Sequence, residues 1–178
     1  MGVDDGWSRV GIDPFGSGAP VDVVRRLRGR LAAPVTVWTA YDPAGAGAGI
    51  TVSSLMVAEG EPASVLGLVG PLSEFWEAVS ETKRFTVHVL GADAARLADQ
   101  FALRYPGDPF EGVAVSGSDW GPSLDAATAR ARCSLTGFME VGYQLLVRGT
   151  LAGADLPEEA PAPLVHYRGR YLTAAPRR

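Results

Sequence analysis

The feature that most constrains this chain is a series of short β-branched and aromatic runs with too few residues between most of them for a crossover helix. Val35 to Tyr41 alternates and reads as a strand. Asp42 to Gly47 is a turn by composition, and Ala48 to Leu55 reads as the returning strand of a hairpin. Glu59-Gly60-Glu61-Pro62 breaks the chain. Ala63 to Val69 is apolar on both faces and reads as a central strand. Arg84 to Leu90 is a further strand. Ala129 to Glu140 and Tyr143 to Leu151 form two long antiparallel strands joined near Val141-Gly142, and Leu164 to Tyr171 is the last strand. This pattern predicts a mainly β fold with short helices, an antiparallel barrel rather than a doubly wound sheet. No GxGxxG follows a strand and opens a helix, so a Rossmann reading fails.

Helical spacing is confined to three segments. Val23, Val24, Leu27 and Leu31 mark a helix over Val21 to Leu31, ended by Pro34. Ser73 is a candidate cap for Glu74 to Thr82, with Glu77 completing a capping box. Asp93 to Arg104 reads as a helix with Leu97 and Phe101 inward. Residues 1–20 read as a flexible N-terminal arm, 21–172 as one domain, and 173–178 as a tail. With 178 residues and 47% hydrophobic content the chain is long enough to bury a core.

Composition removes several classes of function. A net charge of -4 argues against a dedicated nucleic-acid binder, and Arg25, Arg26, Arg28 and Arg30 read as a solvated helix face. No apolar run reaches the roughly 18 residues needed to cross a bilayer. Met1 to Pro20 lacks the pattern of a secretory leader. A single cysteine, Cys133, permits no internal disulfide, in keeping with a cytoplasmic location, and it reads as an inert core thiol. One Cys with His88 and His166 is too small a set for a structural zinc site, so no metal is expected. No Ser-His-Asp or paired-carboxylate arrangement can be defended.

Four segments, taken in order, resemble the flavin-reductase-like family of FMN-binding split barrels. Pro34-Val35-Thr36-Val37-Trp38-Thr39 is similar to the family's G-V-T-V-V-T strand. Gly49-Ile50-Thr51-Val52-Ser53-Ser54 is similar to its G-x-T-v-S-S segment. Arg84 to Leu90, followed by Leu97 and Phe101, resembles R-F-x-V-N-V-L leading into L-A-x-x-F. Pro163 to Tyr171 resembles the terminal P-L-v-y-h-R-G-x-Y. The chain departs from the pattern at His88, where the family has Asn, at Leu55 to Gly60, and at Val141-Gly142-Tyr143, where the family often has G-D-H.

The resemblance implies a split β-barrel that binds FMN (or FAD) with NADH or NADPH as reductant. Such a pocket needs cations or N–H groups for phosphate, mixed hydrogen-bonding groups for the pyrimidine edge, and apolar cover for the ring. By spacing alone Thr51-Val52-Ser53-Ser54 is a strand end satisfying its own backbone; the resemblance makes it the flavin-edge or phosphate segment. Ser73 at a helix start, and Lys83 and Arg84, are candidate phosphate partners, with Arg26 and Arg30 weaker ones. Trp38, Phe85, Phe101 and Tyr171 are candidate walls for the ring, against the plain alternative that they are core. Thr36 and Arg168 occupy matching motif positions and complete the expected cofactor-binding set. His166 is the expected functional histidine, near flavin and nicotinamide, whereas His88 is expected to point into the barrel or a dimer interface.

The activity implied is an NAD(P)H-dependent flavin reductase that passes hydride from nicotinamide to flavin and supplies reduced flavin to a separate monooxygenase. The alternatives are a non-catalytic FMN-binding carrier or accessory protein, and a deazaflavin-using oxidoreductase of the same fold. A homodimer is expected. Residues 51–54 and the strand 164–171 are expected to converge on one cleft.

Overall fold

A seven-stranded antiparallel sheet whose first and last strands are consecutive in sequence organises the molecule. The computed structural model describes residues 19–104, 106–159 and 161–173. Its elements are α1 (Ala19–Gly29), β1 (Ala33–Pro34), β2 (Thr36–Tyr41), β3 (Gly47–Val52), β4 (Leu55–Ala58), β5 (Ser64–Val69), α2 (Glu74–Thr82) and β6 (Arg84–Leu90). There follow α3 (Ala95–Phe101), β7 (Val115–Ser116), β8 (Ser123–Leu124), β9 (Ala127–Val141), β10 (Gln144–Asp155), β11 (Leu164–Tyr167) and β12 (Arg170–Thr173).

The large sheet has the order β3-β2-β6-β9-β10-β5-β4. Only Ser53-Ser54 separates β3 from β4, so two strands at opposite ends of the sheet must lie side by side, and the sheet curls into a half-open barrel. No ladder closes the gap. The Ser54 hydroxyl accepts from the Leu68 N–H at 3.1 Å and donates to the Leu68 carbonyl at 3.3 Å, which extends the β4–β5 pairing by one position toward the corner. The expected single strand Ala48 to Leu55 is therefore two strands broken at this corner, because residues 53–54 carry the chain from one end of the sheet to the other.

β2 is buried on both faces. Trp38 and Ala40 point into the barrel, where α2 delivers Phe75, Ala78 and Val79 and β6 delivers Phe85 and Val87. Val35 and Val37 belong to a second core with Leu90, Ala98, Phe101, Leu124 and Leu164, beneath α3 and the C-terminal hairpin. The barrel core holds three rings: Trp38 stacked on Phe85 at 5.1 Å, with Phe75 edge-on to both at 5.9 Å. A Cβ on Gly67 would come within 2.7 Å of the Trp38 ring, so the indole lies where any larger residue would project. The thiol of Cys133 is buried, and that burial pushes its pKa up to about 12.

The helices need two corrections. Ser73 caps α2 as expected, accepting from the Trp76 N–H at 3.2 Å. Glu77 does not complete a capping box, because Trp76 holds the third helical position and the Ser73 N–H donates to the Gly70 carbonyl. α3 is shorter than the segment Asp93 to Arg104, since its cap position, Ala94, offers no side-chain hydrogen bond and its last turn ends at Phe101.

The expected last strand, Leu164 to Tyr171, is a hairpin of β11 and β12. The two turn residues, Arg168 and Gly169, both have positive φ, 51° and 74°, as a two-residue hairpin turn requires. This hairpin pairs with β1 in a separate three-stranded sheet. Val35 joins the two sheets, its N–H donating to Leu164 and its carbonyl accepting from Leu90. The expected arm, residues 1–20, lies almost wholly outside the described residues, as does most of the tail.

Candidate functional site

Two regions contain most of the exposed polar groups singled out from sequence. The first is the β3–β4 corner. Thr36 donates to the Val52 carbonyl at 2.6 Å and accepts from the Trp38 indole at 3.1 Å, so its hydroxyl serves the barrel wall. Thr51 donates to the Ala98 carbonyl at 2.7 Å and fastens α3 to the sheet. Ser54 holds β5. Val52 is buried. Ser53 alone of these three hydroxyl residues after Thr36 is engaged by no other described residue. Met56 and Val57, exposed on the adjoining β4, supply apolar surface next to it.

The second region is a cleft of about 570 Å³ between the C-terminal end of α1, the turn of the β11–β12 hairpin and Arg104 beyond α3. Arg25, Arg26, Arg28, Arg30, Arg104, Arg168 and His166 line it, with Gly29 and Gly169. The Arg168 N–H donates to the Gly29 carbonyl at 2.8 Å, which ties the hairpin turn to the helix end. Below the cleft the His166 ring meets the Tyr171 ring edge-on at 5.8 Å, and the Tyr171 hydroxyl donates to Asp99 at 2.9 Å. Asp99 also pairs with Arg104 at 3.1 Å. Partial burial lowers the His166 pKa first, and the Arg104 and Arg28 charges lower it further; Asp99 acts in the opposite direction. His166 therefore presents a neutral imidazole at neutral pH.

The other expected residues lie elsewhere. Trp38 and Phe85 are buried in the barrel core and present no surface to a ring, and Phe101 is buried in the second core. The Ser73 hydroxyl donates to the Gly70 carbonyl at 2.8 Å and sits beside Glu74 and Glu77, so this helix start faces two carboxylates rather than an open anion site. Lys83 caps α2 in the left-handed conformation and its ammonium donates to the Ser80 carbonyl. Arg84 lies over the Trp120 ring at 5.5 Å.

The structure thus brings His166 and Arg168 together in the cleft with Tyr171 beneath them, and Thr51 to Ser54 are not among the residues that line it. Both groups touch α3 at successive residues, Thr51 at Ala98 and Tyr171 at Asp99. Sequence reasoning missed Arg28, Asp99 and Arg104. The basic run on α1 was visible, but not that its end docks against a hairpin bearing Arg168. Among the described residues no group of three or more His, Cys, Asp or Glu side chains could hold a metal ion, and no helix is long and apolar enough to cross a membrane.

Comparison with known proteins adds the following. The model of the family described as "Flavin reductase like domain" matches residues 28–175. The chain is 31% identical over 156 residues to NADH:riboflavin 5'-phosphate oxidoreductase of Streptomyces pristinaespiralis, covering 85% of this chain and 87% of that protein. It is 32% identical over 148 residues to the reductase component of 4-nitrophenol 4-monooxygenase/4-nitrocatechol 2-monooxygenase of Rhodococcus opacus, covering 83% and 77%. Among solved structures it resembles nitrilotriacetate monooxygenase component B from Mycobacterium thermoresistibile, with a TM-score of 0.80, 28% identity and 89% of each chain covered. It also resembles the NADH:FAD oxidoreductase SgcE6 of Streptomyces globisporus in complex with NAD and FAD fragments, with a TM-score of 0.79, 26% identity and coverage of 93% and 96%.

Proposed function

This chain belongs to the flavin reductase like domain family, and from that membership we propose that it is an NAD(P)H-dependent flavin reductase. The observation that carries the reading is likeness along nearly the whole chain to an NADH:riboflavin 5'-phosphate oxidoreductase, riboflavin 5'-phosphate being FMN. The residues present fit a flavin in kind: an unengaged Ser53 hydroxyl at a strand end, apolar Val57 beside it, and a cationic cleft across α3. Bound flavin supplies the redox chemistry, accepting a hydride from nicotinamide. The chain's part is to hold and to exclude. Ser53 and the backbone of the β3–β4 corner orient the polar edge of the ring. Val57, on the opposite face of β4 from Met56, sheds water from the face of the ring. His166, kept neutral, offers the cleft across α3 a hydrogen-bonding group without a further charge. Positioning of this kind needs no protein acid or base.

Purified protein mixed with FMN and NADH, or NADPH, will consume the nicotinamide in molar excess over protein, followed at its absorbance band. A yellow protein that consumes none overturns the enzyme reading in favour of a flavin carrier. Mass spectrometry of the denatured protein distinguishes FMN from FAD and from a deazaflavin.

The reading includes a homodimer and a monooxygenase that receives the reduced flavin. One relative is the reductase component of 4-nitrophenol 4-monooxygenase/4-nitrocatechol 2-monooxygenase, and another, HsaB of Mycobacterium tuberculosis, is the reductase subunit of a flavin-dependent monooxygenase, which supports the second point. The register supports the first. Met139, Leu146 and Leu68 form one row across β9, β10 and β5, and Leu66 and Met56 form another across β5 and β4 that meets the exposed Arg148 on β10. Leu145, Val147, Gly67 and Val69 point inward between them, so these rows face out, half-buried or exposed. An apolar sheet face of this kind needs cover. Light scattering will report a dimer, and Leu146→Glu will halve the mass; a wild-type monomer rules the dimer out.

A further inference from the structure

We propose that the cleft between α1 and the β11–β12 hairpin is a phosphomonoester site that reads the 2'-phosphate of NADPH, giving this protein a preference for NADPH over NADH. The inference rests on the reductase reading for its biological meaning and on charge and geometry for its chemistry.

The chain as a whole is acidic, with a net charge of -4, yet four arginines from three separate segments meet here: Arg28 and Arg30 at the end of α1, Arg104 after α3, and Arg168 in the hairpin turn. Cations on the last turn of a helix are explained by its dipole, but Arg104 and Arg168 are not on that helix. Asp99 offsets Arg104. Among the described residues no carboxylate pairs with Arg28, Arg30 or Arg168. Arg168 stands in the left-handed region, at φ 51°, where Asn, Asp or Gly is the less strained choice. Its guanidinium lies over the Tyr167 ring at 5.5 Å, which holds the cation at the cleft wall with no carboxylate partner among the described residues.

The number of charges selects the ligand. The linking phosphates of NADH are diesters and carry about two negative charges in all. The 2'-phosphate adds nearly two more on a terminal group with three open oxygens, the shape that guanidinium forks grip in pairs. Three arginines without a carboxylate partner suit that terminal group. A cleft of about 570 Å³ accommodates the adenosine end that bears it.

Adenosine 2',5'-bisphosphate, the phosphorylated end of NADPH, tests this directly by isothermal titration of the whole protein, with 5'-AMP as the reference. The bisphosphate will bind at least about tenfold more tightly than 5'-AMP at low salt, and the difference will shrink as ionic strength rises. In the double variant Arg28→Ser/Arg30→Ser the advantage will fall by about tenfold or more. These residues are exposed, and an unchanged thermal transition will confirm that the variant is folded. Equal affinity for the two nucleotides, or an advantage that survives in the double variant, overturns the site. Turnover separates the two readings. A protein that oxidises NADH but binds both nucleotides alike loses this site and keeps its reductase activity. One that binds the bisphosphate selectively but oxidises neither coenzyme keeps the site and loses the activity.

Discussion

Lowering the pH from about 7 to 4 will remove about 3 kcal/mol of stability through a single side chain, His88. The imidazole is buried, with Nδ1 3.1 Å from the Val37 carbonyl and Nε2 accepting the Leu124 N–H at 3.1 Å. That pairing assigns the proton to Nδ1 and makes the neutral ring complementary to both partners. A second proton would face the Leu124 N–H head-on. Burial lowers the His88 pKa from 6.5 to about 4; the bond to Val37 opposes the shift and the Arg130 charge assists it. The folded value lies below the unfolded one, so the unfolded chain binds the extra proton first. The stability is fully present above about pH 6.5 and is lost as pH falls toward 4, with about 2 kcal/mol gone by pH 5. Urea denaturation across this range measures it. His88→Asn supplies the control: its shorter amide cannot reach both partners, which costs about 1–3 kcal/mol at neutral pH, and the variant has nothing at this position to titrate. If the wild-type and H88N stability curves run parallel between pH 6.5 and 4, His88 is not the group responsible.

Trp38→Ala will lower stability by about 4 kcal/mol, within the range for removal of a large aromatic from a packed core. The indole is fully buried and is the largest side chain in that state. It stacks on Phe85, meets Phe75 edge-on, and donates to Thr36. Alanine leaves a cavity that the barrel wall cannot close, because β2 is fixed on both sides by β3 and β6. Trp38→Phe will cost less, about 1–2 kcal/mol. This variant also decides what the ring does. As a core residue it will leave flavin affinity within about twofold; as a cofactor wall it would change affinity by about tenfold or more. Denaturation midpoints and a flavin titration on W38F measure the two effects. A large loss of flavin affinity at near-native stability would return Trp38 to the binding site.

The contrast between these residues explains what was legible in the sequence. Strand identity was legible because alternation and β-branching carry it: Thr36 to Tyr41 and Arg84 to Leu90 lie where their pattern puts them. What the alternation could not show is which neighbour each strand has. The rings of Trp38 and Phe85 look the same in sequence whether they face a ligand or α2, and only the arrival of Phe75 from that helix decides it. The C-terminal hairpin was missed for a local reason. Its turn uses Arg168-Gly169 in place of Asn-Gly or Asp-Gly, so the alternation of Leu164 to Tyr167 seemed to run on through Tyr171. The cleft was hidden for a tertiary reason: four arginines near residue 28 give no sign that residue 168 hydrogen-bonds to Gly29.

The order of strands in the large sheet also bears on how the chain matures during translation. Residues 36–69 provide the outermost pairs, β2 with β3 and β4 with β5, while the three middle strands come from residues 84–155. A nascent chain therefore completes both flanks before any of the centre exists. Until β6, β9 and β10 emerge, the inner edges of β2 and β5 have open hydrogen-bonding groups and apolar side chains with nothing to pair against. Non-local closure of this kind is slow, and exposed edges on an incomplete chain favour association with other chains over correct insertion. The protein's yield in a cell is thus tied to how quickly the ribosome delivers the stretch up to residue 155.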